Sequence, residues 1–298
     1  MSVYRSGFVS IIGSPNVGKS TLINALVGQK IAIVSERAQT TRHIITGVLT
    51  QDGYQIVFLD TPGVMRPRNR LGEYMHRAAL RQTKEVEAIL LVLDALAGLR
   101  EQDEALIKRL TGAVPPILAA INKCDAAKEE QVLQIERRLD ELGRFSRTLR
   151  ISARTGHGLP ALESTLGSYL TEGPQYFPAD MVTDQPERVI CCELIREKAL
   201  ALLCEEVPHG VGVSIEKMER REGRDLMDVH AVVYCEREGH KAIIIGKGGR
   251  MLKRIGMAAR ADIEDLLGTP VNLQIWVKTA EDWRNRLSML RELGYAEH

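Results

Sequence analysis

No apolar run in this chain approaches the roughly 18 residues that would span a bilayer, and its first residues lack the shape of a signal peptide. The five cysteines (Cys124, Cys191, Cys192, Cys204, Cys235) form no C-x-x-C pair and show no metal-ligand spacing, so they read as reduced thiols of a cytosolic protein. Excess charge of one sign is missing as well. Forty Lys and Arg stand against 39 Asp and Glu, for a net charge of +1, so any site for a polyanion must be local. There is no internal repeat and no low-complexity segment. A chain of 298 residues without these features is long enough for two domains, each with its own core.

Against these absences, the stretch GSPNVGKST (Gly13 to Thr21) is rich in special residues. An apolar run, GFVSII, precedes it and LINALVG, apolar at helical spacing, follows it. The stretch fits G-x-x-x-x-G-K-S/T, with Gly13, Gly18, Lys19 and Ser20 in the required places and Ser14, Pro15, Asn16 and Val17 between them. Backbone N–H groups of such a loop cradle phosphate oxygens, and the following helix adds partial positive charge. Lys19 is expected to reach the outer phosphates and the Ser20 hydroxyl to bind Mg2+, with Thr21 completing the stretch.

Up to about Leu170, short apolar runs (YQIVFL, AILLVL, PPILAAI, TLRIS) alternate with amphipathic stretches such as EQDEALIKRL and EEQVLQIERRLDEL. That alternation predicts an α/β domain, a mostly parallel sheet with helices on both faces and functional loops at the strands' carboxyl ends. The stretch Thr171 to Pro186 has three prolines and no periodicity, which reads as a linker. Beyond it, a helix from about Glu187 and strands VGVSIEKMER, VHAVVYCER and VNLQIWVKT predict a smaller α+β unit. The expected division is 1–172, a linker at 173–186, and 187–298.

Three further strand-end loops carry the chemistry of a guanine nucleotide site. Asp60-Thr61-Pro62-Gly63 follows YQIVFL: the aspartate can hold Mg2+ through water, and the Gly63 N–H can meet a γ-phosphate. Asn122-Lys123-Cys124-Asp125 follows PPILAAI, and a carboxylate at Asp125 can accept from N1–H and the exocyclic amine of guanine, a pattern adenine lacks. Ser152-Ala153 is expected to put a backbone N–H near guanine O6.

On these motifs the first 170 residues resemble a translation-factor-type GTPase domain. The stretch SERAQTTRH (Ser35 to His43) is similar to the first switch of that group, and the resemblance implies that Thr40 or Thr41 binds Mg2+ when a γ-phosphate is present. It also implies catalytic parts for Lys19, Asn16 and Thr41. Where Ras-like GTPases carry a glutamine that orients water, this chain has Val64, which cannot hydrogen-bond water, so intrinsic hydrolysis is expected to be slow. In related GTPases an asparagine at the place of Asn16 accompanies a K+ ion beside the phosphates. Asn16 has two readings, a K+ helper and a turn former.

In the second unit, Lys241 to Arg260 holds six basic residues (Lys241, Lys247, Arg250, Lys253, Arg254, Arg260) and no acidic one. Within it Gly246-Lys247-Gly248-Gly249 resembles the G-x-x-G loop of a type 2 KH domain, which clamps single-stranded RNA. By that resemblance AIII ends a short helix, although its periodicity alone reads as a strand. Lys241, Gly246 to Gly249, Arg250, Lys253, Arg254 and Lys278 are the expected RNA contacts, and Trp276 is expected in the core.

A single GTPase domain, a linker and a KH domain, with SPNVGKST, AQTTRH, DTPG, IREKAL and REGHKAIIIGKGG, resembles the Era family of bacterial ribosome-assembly GTPases over nearly the whole chain. The resemblance implies a GTP-hydrolysing switch that binds the 3′ end of 16S ribosomal RNA and assists maturation of the 30S subunit. It further implies a cytoplasmic monomer with a peripheral membrane fraction. The second reading of the same residues is an RNA-binding module whose GTP site hardly turns over.

Overall fold

The structure, a computed structural model, describes residues 3–34, 42, 45–60, 69–81 (backbone only for 76–81), 85–110, 115–204 and 207–295. The chain divides into two compact units: Met1–Arg66 with Met75–Asp184, and Pro67–Tyr74 with Gln185–His298.

In the first unit the strands β1 (Arg5–Ile12), β2 (Ile45–Gln51), β3 (Tyr54–Asp60), β4 (Ala88–Asp94), β5 (Ile117–Asn122) and β6 (Arg147–Arg150) form a sheet in the order β2-β3-β1-β4-β5-β6. All pairings along it are parallel except β2 with β3, and the two-residue β7 (Thr171–Glu172) adds an antiparallel contact to β1. The helices are α1 (Lys19–Val27), the part of α2 (Arg70–Arg81) from Met75 on, α3 (Glu101–Arg109), α4 (Glu129–Leu142) and α5 (Leu159–Tyr169). The central strands are continuous apolar runs because both faces are covered. Along β4, Ala88, Leu90 and Val92 join the core beneath α1 and α5, whereas Ile89, Leu91 and Leu93 join the core beneath α3 and α4. The antiparallel edge strand β2 was absent from the sequence reading. Its sequence, ITGVLTQ, is short and mixed, and it is held by register with β3.

The proline-rich stretch is not an isolated tether in its first part. Gly173 N–H donates to Tyr4 O at 3.2 Å, and the Gln55 side chain, fully buried, accepts from the N–H groups of Tyr176 and Phe177 at 2.9 and 3.0 Å. Val48 N–H donates to Val182 O at 2.8 Å on the β2 edge. Prolines give this segment no periodicity, but buried polar groups of the sheet fix its path.

The second unit contains α6 (Glu187–Leu202), β8 (Gly212–Arg220), β9 (Met227–Cys235), α7 (Glu238–Ile245), α8 (Arg250–Leu267), β10 (Val271–Thr279) and α9 (Leu287–Glu292). Its sheet runs β10-β9-β8, parallel between β10 and β9 and antiparallel between β9 and β8. Helix α8 buries Ile255, Ala259 and Ile263 at four-residue spacing and leaves its basic side chains outside. AIII does end a helix, α7, as the KH resemblance implied and its β-branched periodicity did not.

Candidate functional site

The first unit's functional loops all leave the carboxyl ends of strands. The phosphate-type loop joins β1 to α1, Asp60 ends β3, Asn122 ends β5, and Ser152 follows β6. Within the loop, Lys19 is 6% exposed and its ammonium donates to the carbonyls of Gly13 and Ser14, each at 3.0 Å. Burial pulls its pKa down, opposed by the charges of Asp60 and Asp103. The Ser20 hydroxyl donates to Asp60 Oδ2 at 3.1 Å. A hydroxyl and a carboxylate brought together at a helix start are hard oxygen donors of the kind Mg2+ takes, so the two residues fit the ion assigned to them.

Asn122 ties the base side to the phosphate side. Its Nδ2 donates to Val17 O and its Oδ1 accepts from Ala153 N–H, both at 2.9 Å. Gly18, at φ 97°, must be glycine for a concrete reason: a Cβ there would lie 2.3 Å from Asn122 Nδ2. Lys123 donates to Asn16 O at 2.8 Å and pairs with Asp94 at 2.7 Å. Asn16 itself sits at φ 66°, a conformation asparagine tolerates, which gives it a turn-forming part.

Asp125 lies at the mouth of this region. Hydrogen bonding from Ser152, with help from Arg154, holds its carboxyl below the usual carboxylate range, so it is ionised and able to accept. Arg154, whose side chain is mostly exposed, donates to Asp125 Oδ2 at 2.6 Å. Sequence reasoning passed over Arg154, because an arginine after Ser-Ala carries no pattern of its own. Of the pair Ser152-Ala153, expected to put a backbone N–H near guanine O6, the Ala153 N–H donates to Asn122 Oδ1 in this structure and so joins the two loops. Thr40, Thr41, Thr61, Pro62, Gly63 and Val64 lie outside the described residues.

In the second unit the turn Gly246 to Gly249 leads from α7 into α8. Gly246 has φ 70° and ψ 171°, and a Cβ on it would stand 2.7 Å from that of Met251, so this position needs glycine. Beside the turn runs a groove of about 360 Å³. Leu252, Met257, Leu273 and Ile275 give it apolar walls, Lys253 and Arg260 supply charge, and Gly249 and Gly256 leave room for close approach. Of the expected RNA contacts, Gly249 and Lys253 line the groove. Lys241, Lys247, Gly248, Arg250 and Arg254 lie on or next to the turn, in α7 and the first turns of α8.

Lys278 does not join them. Leu273 and Ile275 face the groove, so Lys278, an odd number of residues away on β10, projects from the opposite face. There it pairs with Glu216 at 2.9 Å. Trp276 is on the same outer face, 44% exposed and edge-on to His230 at 5.3 Å, so it is not a core residue. Trp283 fills the core instead, with its indole N–H on Gly210 O at 2.8 Å. The groove residues Leu252, Met257, Leu273 and Ile275 escaped the sequence reading because apolar residues in α8 and β10 look alike whether they face core or groove, whereas Arg260 was counted in the basic run but not among the expected RNA contacts.

The fold and these loops define a phosphate-loop GTPase domain followed by a KH domain. The profile of the family described as "50S ribosome-binding GTPase" matches residues 8–123, and that of the KH domain matches residues 206–284. The chain belongs to the Era family of GTPases and is a GTPase. It is 50% identical over 292 residues to GTPase Era of Alkaliphilus oremlandii (strain OhILAs), covering 98% of this chain and 99% of that one. Identity to GTPase Era of Clostridioides difficile (strain 630) is 50% over 294 residues. Among solved structures, Era in complex with MgGDPNP and nucleotides 1506–1542 of 16S ribosomal RNA is 38% identical, with a TM-score of 0.95 over 99% of this chain and 100% of that one. A substituted Aquifex aeolicus Era bound to GDP·AlF4− is 39% identical, with a TM-score of 0.94 over 98% of this chain and 100% of that one.

Proposed function

We propose that this GTPase is an RNA-binding switch for the 3′ end of 16S ribosomal RNA and serves maturation of the 30S subunit. The observation that carries the reading is the G-x-x-G turn opening onto an apolar, basic-edged groove in a chain that also holds a guanine nucleotide site. A relative similar along the full chain has been captured with both a GTP analogue and a 16S RNA fragment. In this reading the loop Gly13 to Thr21 takes the phosphates and Asp125 selects guanine. Ser20 and Asp60 would hold Mg2+, which neutralises charge on the outer phosphates. Thr40 or Thr41 is assigned as the further ligand. The bases of single-stranded RNA lie along Leu252, Met257, Leu273 and Ile275, with phosphates at Lys247 and Lys253.

The protein acts as a monomer in the cytoplasm. Any membrane association in this reading is peripheral: among the described residues no helix is long and apolar enough to cross a bilayer. K+ is assigned a place beside Asn16. If so, exchanging K+ for Na+ slows hydrolysis, and Asn16→Ala removes the difference.

The deciding experiment measures affinity for a single-stranded RNA ending in the 16S 3′ sequence, with GDP and with a non-hydrolysable GTP analogue. Coupling between sites is typically about 1–3 kcal/mol, so RNA should bind about five- to hundredfold tighter with the analogue. GTP analogue affinity must rise by the same factor when RNA is present. Equal RNA affinity in both states would remove the switch from the proposal.

A further inference from the structure

A buried carboxylate beside a phosphate site needs a reason, because an unspent negative charge there would repel the ligand. Asp103, in the first turn of α3, is 1% exposed, and its charge is felt by the Lys19 ammonium. One carboxylate oxygen accepts the hydroxyl of Ser14, the second residue of the phosphate loop, itself 1% exposed. The other accepts Arg100 N–H at 3.0 Å and lies 3.5 Å from Arg100 Nε, so Asp103 also caps a backbone N–H at the start of α3. Leu106 and Ile107 bury the same helix under the sheet, so Asp103 is held on a rigid element.

The consequence for the loop is specific. The Ser14 carbonyl is one of the two groups that hold the Lys19 ammonium, and its hydroxyl is tied to Asp103. Ser14 therefore has no free hydroxyl to offer a phosphate and contributes through its backbone. We propose that Asp103 is a positioning residue of the GTPase reaction, fixing the phosphate loop through Ser14 so that Lys19 and the loop N–H groups are set before nucleotide arrives. The inference rests on assigning the Gly13–Thr21 loop to the phosphates.

The test uses the full chain and measures GDP dissociation constants, GTP KM and kcat, and thermal midpoints for Ser14→Ala, Asp103→Ala, the double variant and Lys19→Ala. A hydrogen bond to a charged acceptor is among the stronger ones, so Ser14→Ala should weaken GDP binding about tenfold or more. It should raise KM more than it lowers kcat. Asp103→Ala should also weaken binding, and its effect should be smaller on top of Ser14→Ala than in the wild type, since the bond the two residues share is then already gone. A merely structural bond would lower the thermal midpoint and leave GDP affinity unchanged. Where Asp103→Ala loses its fold through the helix cap, Ser14→Ala alone decides the matter. GDP affinity of Ser14→Ala within twofold of wild type, with binding lost in Lys19→Ala, overturns the role of Asp103. Unchanged affinity in Lys19→Ala as well overturns the phosphate-loop assignment beneath it.

Discussion

Asn122 holds Val17: its side-chain amide donates to the Val17 carbonyl at 2.9 Å while its oxygen accepts Ala153 N–H at the same distance. One nearly buried amide thus spans the phosphate loop and the base-side loop, and both of its ends are satisfied. Replacing it with alanine leaves a buried carbonyl and a buried N–H without their partner, at about 1–3 kcal/mol each. Asn122→Ala should therefore weaken GTP and GDP alike by about 30-fold or more, as read by equilibrium binding of a fluorescent nucleotide. An effect confined to GTP would show that the amide senses the γ-phosphate rather than organising the loops.

In the proposed reading Asp125 selects guanine through its carboxylate, whose pKa Ser152 and Arg154 hold down. Asp125→Asn puts a donor where guanine also has one, whereas xanthine has a carbonyl there. GTP binding should be lost and binding of xanthosine triphosphate gained. Unchanged GTP affinity would take Asp125 out of the site.

The groove beside the G-x-x-G turn is tested by charge. Replacing Lys247 and Gly248 by aspartate should abolish RNA binding, with GTP affinity in the absence of RNA held within about threefold because the substitutions share no partner with the nucleotide loops. Met257→Glu, in the apolar wall, should do the same without touching the turn. RNA affinity of the wild type should fall with salt at a log–log slope of roughly −0.7 per phosphate contacted. Lys278→Ala should leave RNA affinity unchanged, since its side chain leaves the opposite face of β10. A loss equal to that of Lys253→Ala would place RNA on that outer face.

A pH-dependent contribution to stability sits on the second sheet. Arg221, first, and Asn272 hold the Asp228 carboxyl well below its usual range, with Arg221 Nε at 2.8 Å and Asn272 Nδ2 at 2.7 Å. A depressed folded-state pKa means stability that is present above the unfolded value of about 3.9 and lost as pH falls through the folded value. Asp228→Asn should thus lower the thermal midpoint at pH 7, and the gap should close progressively below about pH 4. A gap that stays constant into acid would show that the carboxylate's charge does not matter there.

The nucleotide loops were legible in the sequence because each consists of adjacent residues whose spacing is the chemistry: Gly18-Lys19-Ser20 and Asn122-Lys123-Cys124-Asp125 are local objects. The mostly parallel sheet with helices on both faces followed almost as directly, since continuous apolar runs alternating with amphipathic ones are its pattern, whereas the strand order came only from the structure. The G-x-x-G turn was legible for the same reason, and AIII was read correctly only through the resemblance, because β-branched residues carry no helical signal.

Whatever depends on residues far apart in the chain was decided by tertiary structure. Asp103 meets Ser14 across 89 positions, and Asn122 meets Val17 across 105. No spacing rule encodes either pair; each exists because the parallel sheet brings β1, β4 and β5 side by side and their following loops to one edge. Lys278 and Trp276 went to the outer face, and Leu273 and Ile275 to the groove, by the alternation of β10 once α8 had covered one side. The sequence sets which side chains share a face of that strand, but only the packed helix determines which face is core, groove or surface.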